Sequence, residues 1–175
     1  MSESYKIHED GVYFVSFSVV GWLDVFTRRK YQDILGDSFQ FCQLNKSLKL
    51  HCYCIMPSHV HFIASSENGS LTSILKSFKS FTAKAIRKEI SENLQENRRE
   101  LFLHQFNYFG KKSKNGERQF WNHDNHPFYL YSNPMIDQKI EYIHNNPVEA
   151  GFVSEAHEWR LSSANHGSPI KTEQL

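Results

Sequence analysis

The alternation of apolar and polar residues in the first third of the chain predicts a strand, a helix and a hairpin. Residues 11–23 are rich in Val, Phe and Tyr with partial alternation, which is typical of a buried strand. Apolar side chains in residues 31–47 recur at near-helical spacing and predict a first helix. Two β-rich runs, 48–56 and 59–65, are separated by a Pro-Ser pair and therefore indicate an antiparallel hairpin.

The middle of the chain predicts a long helix and a further strand. Residues 70–94 carry Leu, Ile and Phe at helical spacing, and Ser70 is a candidate N-cap. Residues 96–119 are polar runs around the apolar segment LFLHQFNYF. A short strand or an excursion loop would each explain them, and the pattern leaves this choice open. Residues 126–131 predict another strand.

The last part of the chain predicts a third helix and a polar tail. Asn133 is a candidate N-cap, followed by Pro134 at the first helical position. The helix is expected to run to about residue 145. Pro147 should then end it, because proline disfavours helical geometry in the residue before it. The final ten residues, 166–175, are largely polar and are expected to form a flexible tail.

The order of elements predicts the fold class. Strand–helix–strand–strand–helix, followed by another strand and helix, indicates an α+β fold whose antiparallel sheet carries helices on one face. A ferredoxin-like arrangement is the first choice. The 175 residues, with 20 basic and 19 acidic side chains and 14% aromatic content, fit one folded domain over residues 1–165. The chain is too short for a (β/α)₈ barrel, which needs about 250 residues.

Composition also bears on cellular location and on partners. The three cysteines are odd in number and no second pair completes a zinc knuckle, so reduced, buried thiols are expected. No stretch approaches the roughly 18 apolar residues of a membrane span, and the first residues lack a secretory pattern. A cytoplasmic protein without a membrane partner is expected. A net charge of +1 gives no overall attraction to nucleic acid, so a polyanion would have to meet a local basic patch.

The most informative local motif is the His-Val-His triplet in the run PSHVHFI. On a strand, His59 and His61 share one face while Val60 and Phe62 enter the other. Two imidazoles on one rigid face supply two ligands of a metal site. In a chain with ten histidines the triplet can also arise by chance, so two ordinary polar histidines remain an alternative.

A second motif lies on the third predicted helix. Three isoleucines form an apolar stripe, whereas Gln138, Tyr142 and Asn146 line up at i, i+4 and i+8 on a flank. Tyr142 therefore has polar neighbours one turn away on either side. A tyrosine that merely borders the core is the plainer interpretation. However, a phenol and a carboxamide one turn apart could both face the strand that carries His59 and His61.

These motifs together carry a resemblance to a known family. MPSHVHFI, followed by YIHNNPVEAGFV and then EWRLSSA, resembles the REP-associated tyrosine transposases. These are relatives of the single-strand insertion-sequence transposases in the HUH (His-hydrophobic-His) endonuclease superfamily. The match spreads over about residues 11–165, with an insertion near residues 92–119 relative to many members. His-Val-His alone is weakly specific, but its combination with Y-I-x-x-N-P-V-x-A-G is quite specific.

The resemblance implies a site and an activity. It implies a ferredoxin-like palm on which His59 and His61 bind a divalent cation, Mg²⁺ or Mn²⁺, with Asn146 completing the metal site. It further implies that Tyr142 is the nucleophile and forms a 5′-phosphotyrosine link. The expected activity is that of a metal-dependent endonuclease and strand transferase acting on single-stranded or hairpin DNA.

Two groups of cations are candidates for binding DNA phosphates. One follows the first strand and the other lies on the second predicted helix, where a solvated helix face is an equally good explanation. The candidate residues are Arg28, Arg29, Lys76, Lys79, Lys84, Arg87 and Lys88.

Other functions remain open at the level of sequence. A domesticated, non-cleaving nucleic-acid-binding module on the same fold is the main alternative. The combination of His59, His61, Tyr142 and Asn146 favours an enzyme, because binding alone gives no reason to place a metal pair beside a phenol. A small zinc hydrolase is less favoured, since no H-E-x-x-H run exists. The sequence is compatible with a monomer or with a homodimer, in which the tyrosine helix could act in trans.

Overall fold

The computed structural model describes residues 11–113, 119–123 and 126–175. Four strands and four α-helices alternate along the chain, with short 3₁₀ turns between some of them. In chain order they are β1 (Val12–Ser18), α1 (Arg29–Lys46), β2 (Leu48–Ile55), β3 (His59–Ser66), α2 (Leu71–Glu92), α3 (Arg99–Lys112), β4 (Phe128–Leu130) and α4 (Asn133–Glu149). None of the described helices is long and apolar enough to cross a membrane.

The four strands form one antiparallel sheet. Their order is β2-β3-β1-β4, so β3 and β1 are central and the hairpin partner β2 lies at one edge. Read with the chain order βαββαβ, this is the ferredoxin-like arrangement. The α+β class predicted from the sequence is therefore confirmed. Helix α3 is inserted between α2 and β4, and α4 is added after β4.

One face of the sheet carries the main core. Phe17 and Phe62 point toward α1 and α2, where their rings lie 6.1 Å from Phe78 and 5.2 Å from Phe39, respectively. Ser70 caps α2 as expected, its hydroxyl accepting a hydrogen bond from the N–H of Ser73. Burial of these aromatic side chains is the main apolar contribution to the stability of this layer.

The opposite face of the sheet is covered by α4. Cys52, Cys54 and Ile63 form a second apolar cluster there with the isoleucine stripe of α4. The stripe consists of Ile136, Ile140 and Ile143. The sheet is thus covered on both faces, by α1 and α2 on one side and by α4 on the other.

A β-bulge decides which residues of β2 meet which layer. The pairing of β2 with β3 shifts register between Leu50 and Cys52. Leu50 and Tyr53 therefore both face the main core, although three positions separate them. The same shift turns Cys52 toward α4. All three cysteines are buried and free of disulfide bonds, as expected.

Helix α3 occupies the region for which the sequence left a strand or a loop open. Phe102 and Phe106, one turn apart, are fully buried, and the ring of Phe106 lies 5.2 Å from that of Phe120. The apolar face is short and flanked by charged runs, which obscured the helical period. Residues 114–118, also in the predicted insertion, lie outside the described residues.

The bounds of α4 differ from those predicted. Ser132, not Asn133, is the N-cap position, and the helix continues through Pro147 to Glu149. It ends where Gly151 adopts a left-handed conformation, with φ of 75°. There Gly151 N–H donates to the carbonyl of Val148, and the next residue donates to that of Pro147, as in a Schellman motif. The expectation that Pro147 ends the helix is wrong, because a proline in the last turn removes only one hydrogen bond.

The end of the chain makes specific contacts rather than extending from the domain. Within the segment 166–175, Ile170 is buried in the main core. The backbone N–H of Glu173 donates to Leu50 in β2 at 2.8 Å, and Gln43 in α1 donates to the carbonyl of Lys171 at 3.0 Å. These contacts are not those of the free tail that its polar composition suggested.

A buried carboxylate ties the start of α1 to the segment between α2 and α3. Glu96 accepts hydrogen bonds from the Tyr31 hydroxyl at 3.1 Å and from the backbone N–H of Arg98 at 3.2 Å. Nε of Arg28 lies 3.4 Å away. Burial by itself would raise the pKa of the Glu96 carboxyl, but these donors outweigh it and lower the pKa. Glu96 therefore remains charged and stabilises the native state at neutral pH.

We expect Glu96→Gln to lower the free energy of unfolding at pH 7 by about 1–3 kcal/mol, the range for a lost hydrogen bond to a charged group. Because the native pKa is lowered, the contribution is complete above the ordinary glutamate pKa of about 4.3 and disappears as pH falls through the native value. Urea denaturation at several pH values measures both effects. Glu92→Gln, at an exposed carboxylate 4.0 Å from Lys88, is the control and should change stability by less than about 0.5 kcal/mol. Equal stability of the two variants would contradict this role of Glu96.

Candidate active site

The two histidines of the His-Val-His triplet lie on the face of β3 that α4 covers. They pair across the sheet with Ser18 and Ser16 of β1, whose small side chains share that face. The two imidazole rings have centroids 4.7 Å apart. Val60, between them in sequence, is buried in the main core on the other side. The predicted division of His59 and His61 from Val60 is confirmed.

Helix α4 brings a tyrosine and an amide against these histidines. The Tyr142 hydroxyl lies 3.5 Å from Nε2 of His61, and Oδ1 of Asn146 lies 3.2 Å from Nε2 of His59. Four residues of helix rise by about 6 Å. Two residues of strand advance by about 6.6 Å. This near-equality lets one turn of α4 match the His-x-His repeat, so the four residues meet in two pairs.

The position of α4 along the sheet is fixed by a polar contact as well as by its isoleucines. Nε2 of His144 lies 2.8 Å from the Ser163 hydroxyl and 3.3 Å from the Cys52 thiol in β2. Ser163 is in turn held by the backbone of Tyr53, whose N–H donates to its hydroxyl at 3.0 Å. Because His144 lies between Tyr142 and Asn146 in sequence, this contact restrains the turn that carries both.

Burial keeps the two site histidines neutral. His61 is only 7% exposed, and burial, with smaller contributions from His59 and Lys139, lowers its pKa to about 3. Burial also lowers the pKa of His59, and the hydrogen bond to Asn146 opposes that shift. Neutral imidazole is the form that binds metal ions. An imidazole of such low pKa is a weak base, so His61 is better suited to ligation than to removing a proton.

The remaining ring nitrogens of the two histidines differ in their surroundings. Nδ1 of His59 lies 3.1 Å from the Ser58 hydroxyl, a contact that turns Nε2 toward Asn146. Nδ1 of His61 is buried and finds no hydrogen-bond partner in the part of the chain that the structure describes. Such an orphaned polar group costs free energy and is characteristic of a functional site.

The donor set suits a divalent cation. Two neutral imidazoles and one amide oxygen are ligands that Mn²⁺ accepts, and Mg²⁺ tolerates with added oxygen ligands. Within the described residues no cluster of three or more His, Cys, Asp or Glu side chains is found. Any metal held here would therefore take His59, His61 and Asn146 as its protein ligands, with other positions left for phosphate or water.

A lysine and a phenylalanine that sequence reasoning missed complete one side of the site. Nζ of Lys139 lies 5.2 Å from the centre of the Tyr142 ring and 4.8 Å from that of Phe14. The Phe14 ring stacks on His61 at 5.5 Å. The i, i+3 relation of Lys139 to Tyr142 was visible in the sequence and places both on one flank. Phe14 could not be found without the pairing of β1 with β3.

Trp22 borders the other side of the site and was also missed. It follows β1 in a short 3₁₀ turn, and its indole lies 5.3 Å from the His59 ring at a steep angle of 76°. No local motif marks it, because a single tryptophan after a strand is usually part of the core.

The cations predicted to bind DNA are not brought to this site. They lie on α2 and at the start of α1, the two helices on the opposite face of the sheet. The ammonium of Lys79 donates to the backbone carbonyl of Asn122 at 2.9 Å and lies over the Phe17 ring, and burial lowers its pKa to about 8. Arg28 is engaged with Glu96 and with the Asn97 side chain, at 3.0 Å.

The other predicted cations are on the surface of the same two helices. Arg29 and Lys88 form i, i+4 pairs with Asp33 at 3.9 Å and Glu92 at 4.0 Å. Arg87 donates to the carbonyl of Ala83 at 3.0 Å. Lys76 and Lys84 are exposed. These residues form a basic surface of their own, separate from the tyrosine and the histidine pair.

Comparison with known proteins identifies the family. Residues 23–122, more than half of the chain, match the family model described as "Transposase IS200 like". This span includes His59 and His61 and ends before Tyr142. No curated protein matches the chain at the threshold used.

Two solved structures are similar to this one. A REP-associated tyrosine transposase bound to a REP hairpin aligns with a TM-score of 0.66 and 16% identity, over 93% of this chain and 82% of that chain. A putative transposase from Deinococcus radiodurans R1 aligns with a TM-score of 0.47 and 16% identity, over 83% of this chain and 97% of that one. The first of these matches confirms the fold, and the family model gives the assignment: the chain belongs to the IS200-like transposases.

Proposed function

We propose that this chain is a metal-dependent endonuclease and strand transferase that acts on single-stranded, hairpin-bearing DNA through Tyr142. The observation that carries the proposal is the meeting of Tyr142 and Asn146 with His59 and His61 across the α4–β3 interface. Membership of the IS200-like transposases supports DNA strand transfer as the chemistry. The similar structure bound to a REP hairpin supports hairpin DNA as the substrate class.

Tyr142 is the proposed nucleophile. Its side chain is 37% exposed, so a phosphate can approach it from solvent. The phenolic oxygen forms a bond to phosphorus while the bond from phosphorus to the 3′ oxygen breaks. The phenol loses its proton, and the leaving 3′ oxygen gains one. The product is a 5′-phosphotyrosine and a free 3′ hydroxyl, and the reverse attack by a 3′ hydroxyl rejoins the strand without ATP.

The roles of the other residues follow from their positions. His59, His61 and Asn146 would hold the divalent cation, which supplies Lewis-acid polarisation of the phosphate when bound. Ser58 orients His59 through its hydroxyl. Lys139, beside the Tyr142 ring, forms no salt bridge among the described residues and can place its charge against a non-bridging phosphate oxygen. Phe14 packs between His61 and Tyr142 and keeps the ring of the nucleophile in place.

The first test concerns the nucleophile. We expect wild-type protein, incubated with Mn²⁺ and a hairpin-bearing oligonucleotide, to form an adduct that survives SDS electrophoresis, and Tyr142→Phe to form none. Phenylalanine keeps the ring packing and removes only the attacking oxygen. Tyr131→Phe, at an exposed tyrosine just before α4, is the matched control and should still form the adduct. An adduct on Tyr142→Phe would assign the nucleophile elsewhere, and DNA binding without any adduct would favour the non-cleaving module.

The second test concerns the third metal ligand. We expect Asn146→Ala to weaken Mn²⁺ binding in calorimetry by at least roughly 10–100-fold, the range reported for loss of groups that only support a ligand. The melting temperature without metal should stay close to that of wild type, because Asn146 lies within α4 rather than at its end. Asn145→Ala, one residue earlier and on a different flank of the helix, should bind Mn²⁺ as wild type does. Unchanged affinity in Asn146→Ala would remove this residue from the metal site.

The third test separates the two basic surfaces. We expect Lys139→Gln to lower the cleavage rate at saturating DNA by about 10–100-fold, the value of one charge-assisted contact to the reacting phosphate. The double variant Lys76→Gln, Lys84→Gln should leave that rate unchanged, since both residues lie on α2 across the sheet. It can still weaken binding in a salt-dependent way. If the double variant slowed cleavage as much as Lys139→Gln, the assignment of Lys139 to the reacting phosphate would be wrong.

A further inference from the structure

An exposed indole beside the histidine pair has no role in the chemistry above. Trp22 is 65% exposed, whereas Trp121 is buried and Trp159 is partly buried. Its backbone adopts φ of 53°, in the left-handed region that non-glycine residues seldom occupy. The fold therefore tolerates strain at a residue whose side chain contributes little to the core. Strain of this kind persists where surrounding structure holds it, and it is concentrated at functional sites.

The turn that carries Trp22 is held from several directions. Trp22 N–H donates to the carbonyl of Val19 at 3.1 Å, and Val20 N–H donates to that of Phe120 at 2.9 Å. Gly21 has φ of 64°, and a Cβ there would lie 2.9 Å from a ring carbon of Phe109 in α3. Glycine is thus needed at this position, because α3 closes on the turn. The indole is presented to solvent by a fixed backbone and not by a loose loop.

The position of Trp22 relative to the reacting groups is also defined. Its ring contacts His59, the His59 ring contacts His61, and the His61 ring contacts Tyr142 at 5.4 Å. Trp22 and Tyr142 therefore lie at opposite ends of the histidine pair. A DNA strand whose phosphate lies at the histidines and Tyr142 would pass its next nucleotide over the indole.

We propose that Trp22 is a stacking site for an unpaired base that neighbours the phosphate attacked by Tyr142. This inference rests on the proposed function and adds a nucleotide-binding subsite to it. An indole recognises the flat face of a base, and such stacking tolerates any base. In a duplex both faces of each base are already covered, so only an unpaired base can stack on Trp22. The subsite thus selects strands that are open at the cleavage position.

The test uses the fluorescence of the full-length protein. Single-stranded oligo(dT) is titrated into protein in EDTA, in the Tyr142→Phe background, so that neither cleavage nor metal contributes. We expect saturable quenching by oligo(dT), but none by inorganic polyphosphate of matched charge or by a blunt duplex. Trp22→Phe should lose the quenching and keep an affinity within about threefold, since phenylalanine can still stack.

A second variant separates stacking from folding. Trp22→Gly removes the ring and relieves the left-handed strain, so its melting temperature should equal or exceed that of the parent protein. Its affinity for oligo(dT) should nevertheless fall by roughly 5–150-fold, the loss expected when one base–aromatic stack is removed.

Three outcomes would overturn the stacking site. These are equal quenching by polyphosphate, equal quenching by the duplex, and unchanged oligo(dT) affinity in Trp22→Gly. Because no step requires Tyr142 or metal, saturable quenching supports the stack even if the adduct test fails. Conversely, adduct formation with unchanged affinity in Trp22→Gly would remove the stacking site and leave the nucleophile assignment intact.

Discussion

The packing of α4 against the second face of the sheet is the constraint on which the candidate site depends. The isoleucine stripe of α4 docks on Cys52, Cys54 and Ile63, and the contact of His144 with Cys52 and Ser163 stops the helix from sliding. Once the stripe is docked, the flank next to it lies over β3. Since a helical turn and two strand residues have nearly the same length, Tyr142 and Asn146 face the two histidines in register. The site is assembled by layer packing, so groups 80 residues apart in sequence come within hydrogen-bonding distance.

The same packing sets the charge distribution. Burial under α4 keeps His59 and His61 neutral, so these residues are ready to ligate a cation and do not repel it. The positive charge of the site is carried instead by Lys139, at the edge of the sheet and over the rings of Phe14 and Tyr142. A chain of net charge +1 can in this way direct a localised cation at a phosphate, while its other basic residues lie on α2 and α1 across the sheet.

Several features of the fold could not be predicted because they depend on contacts distant in sequence. The bulge near His51 determines that Cys52 faces α4 and not the main core, and nothing in the local alternation marks it. Helix α3 is held by Phe102 and Phe106 in a core whose other members come from elsewhere in the chain. Pro147 was expected to end α4, yet the docked helix continues to the Gly151 turn because tertiary contacts offset one missing hydrogen bond.

The sequence by itself determined the order of elements, the α+β class and the common face of His59 and His61, because these follow from local periodicity and from backbone geometry. It also placed Tyr142 and Asn146 on one flank of a helix, since their i, i+4 spacing is a property of the helix alone. Only the tertiary structure decided that this flank meets the histidines, that Lys79 is buried against Asn122 and Phe17, and that Trp22 and Lys139 border the site. The physical reason is that each of these relations is set by which faces are buried against each other, and burial is a property of the whole packed chain.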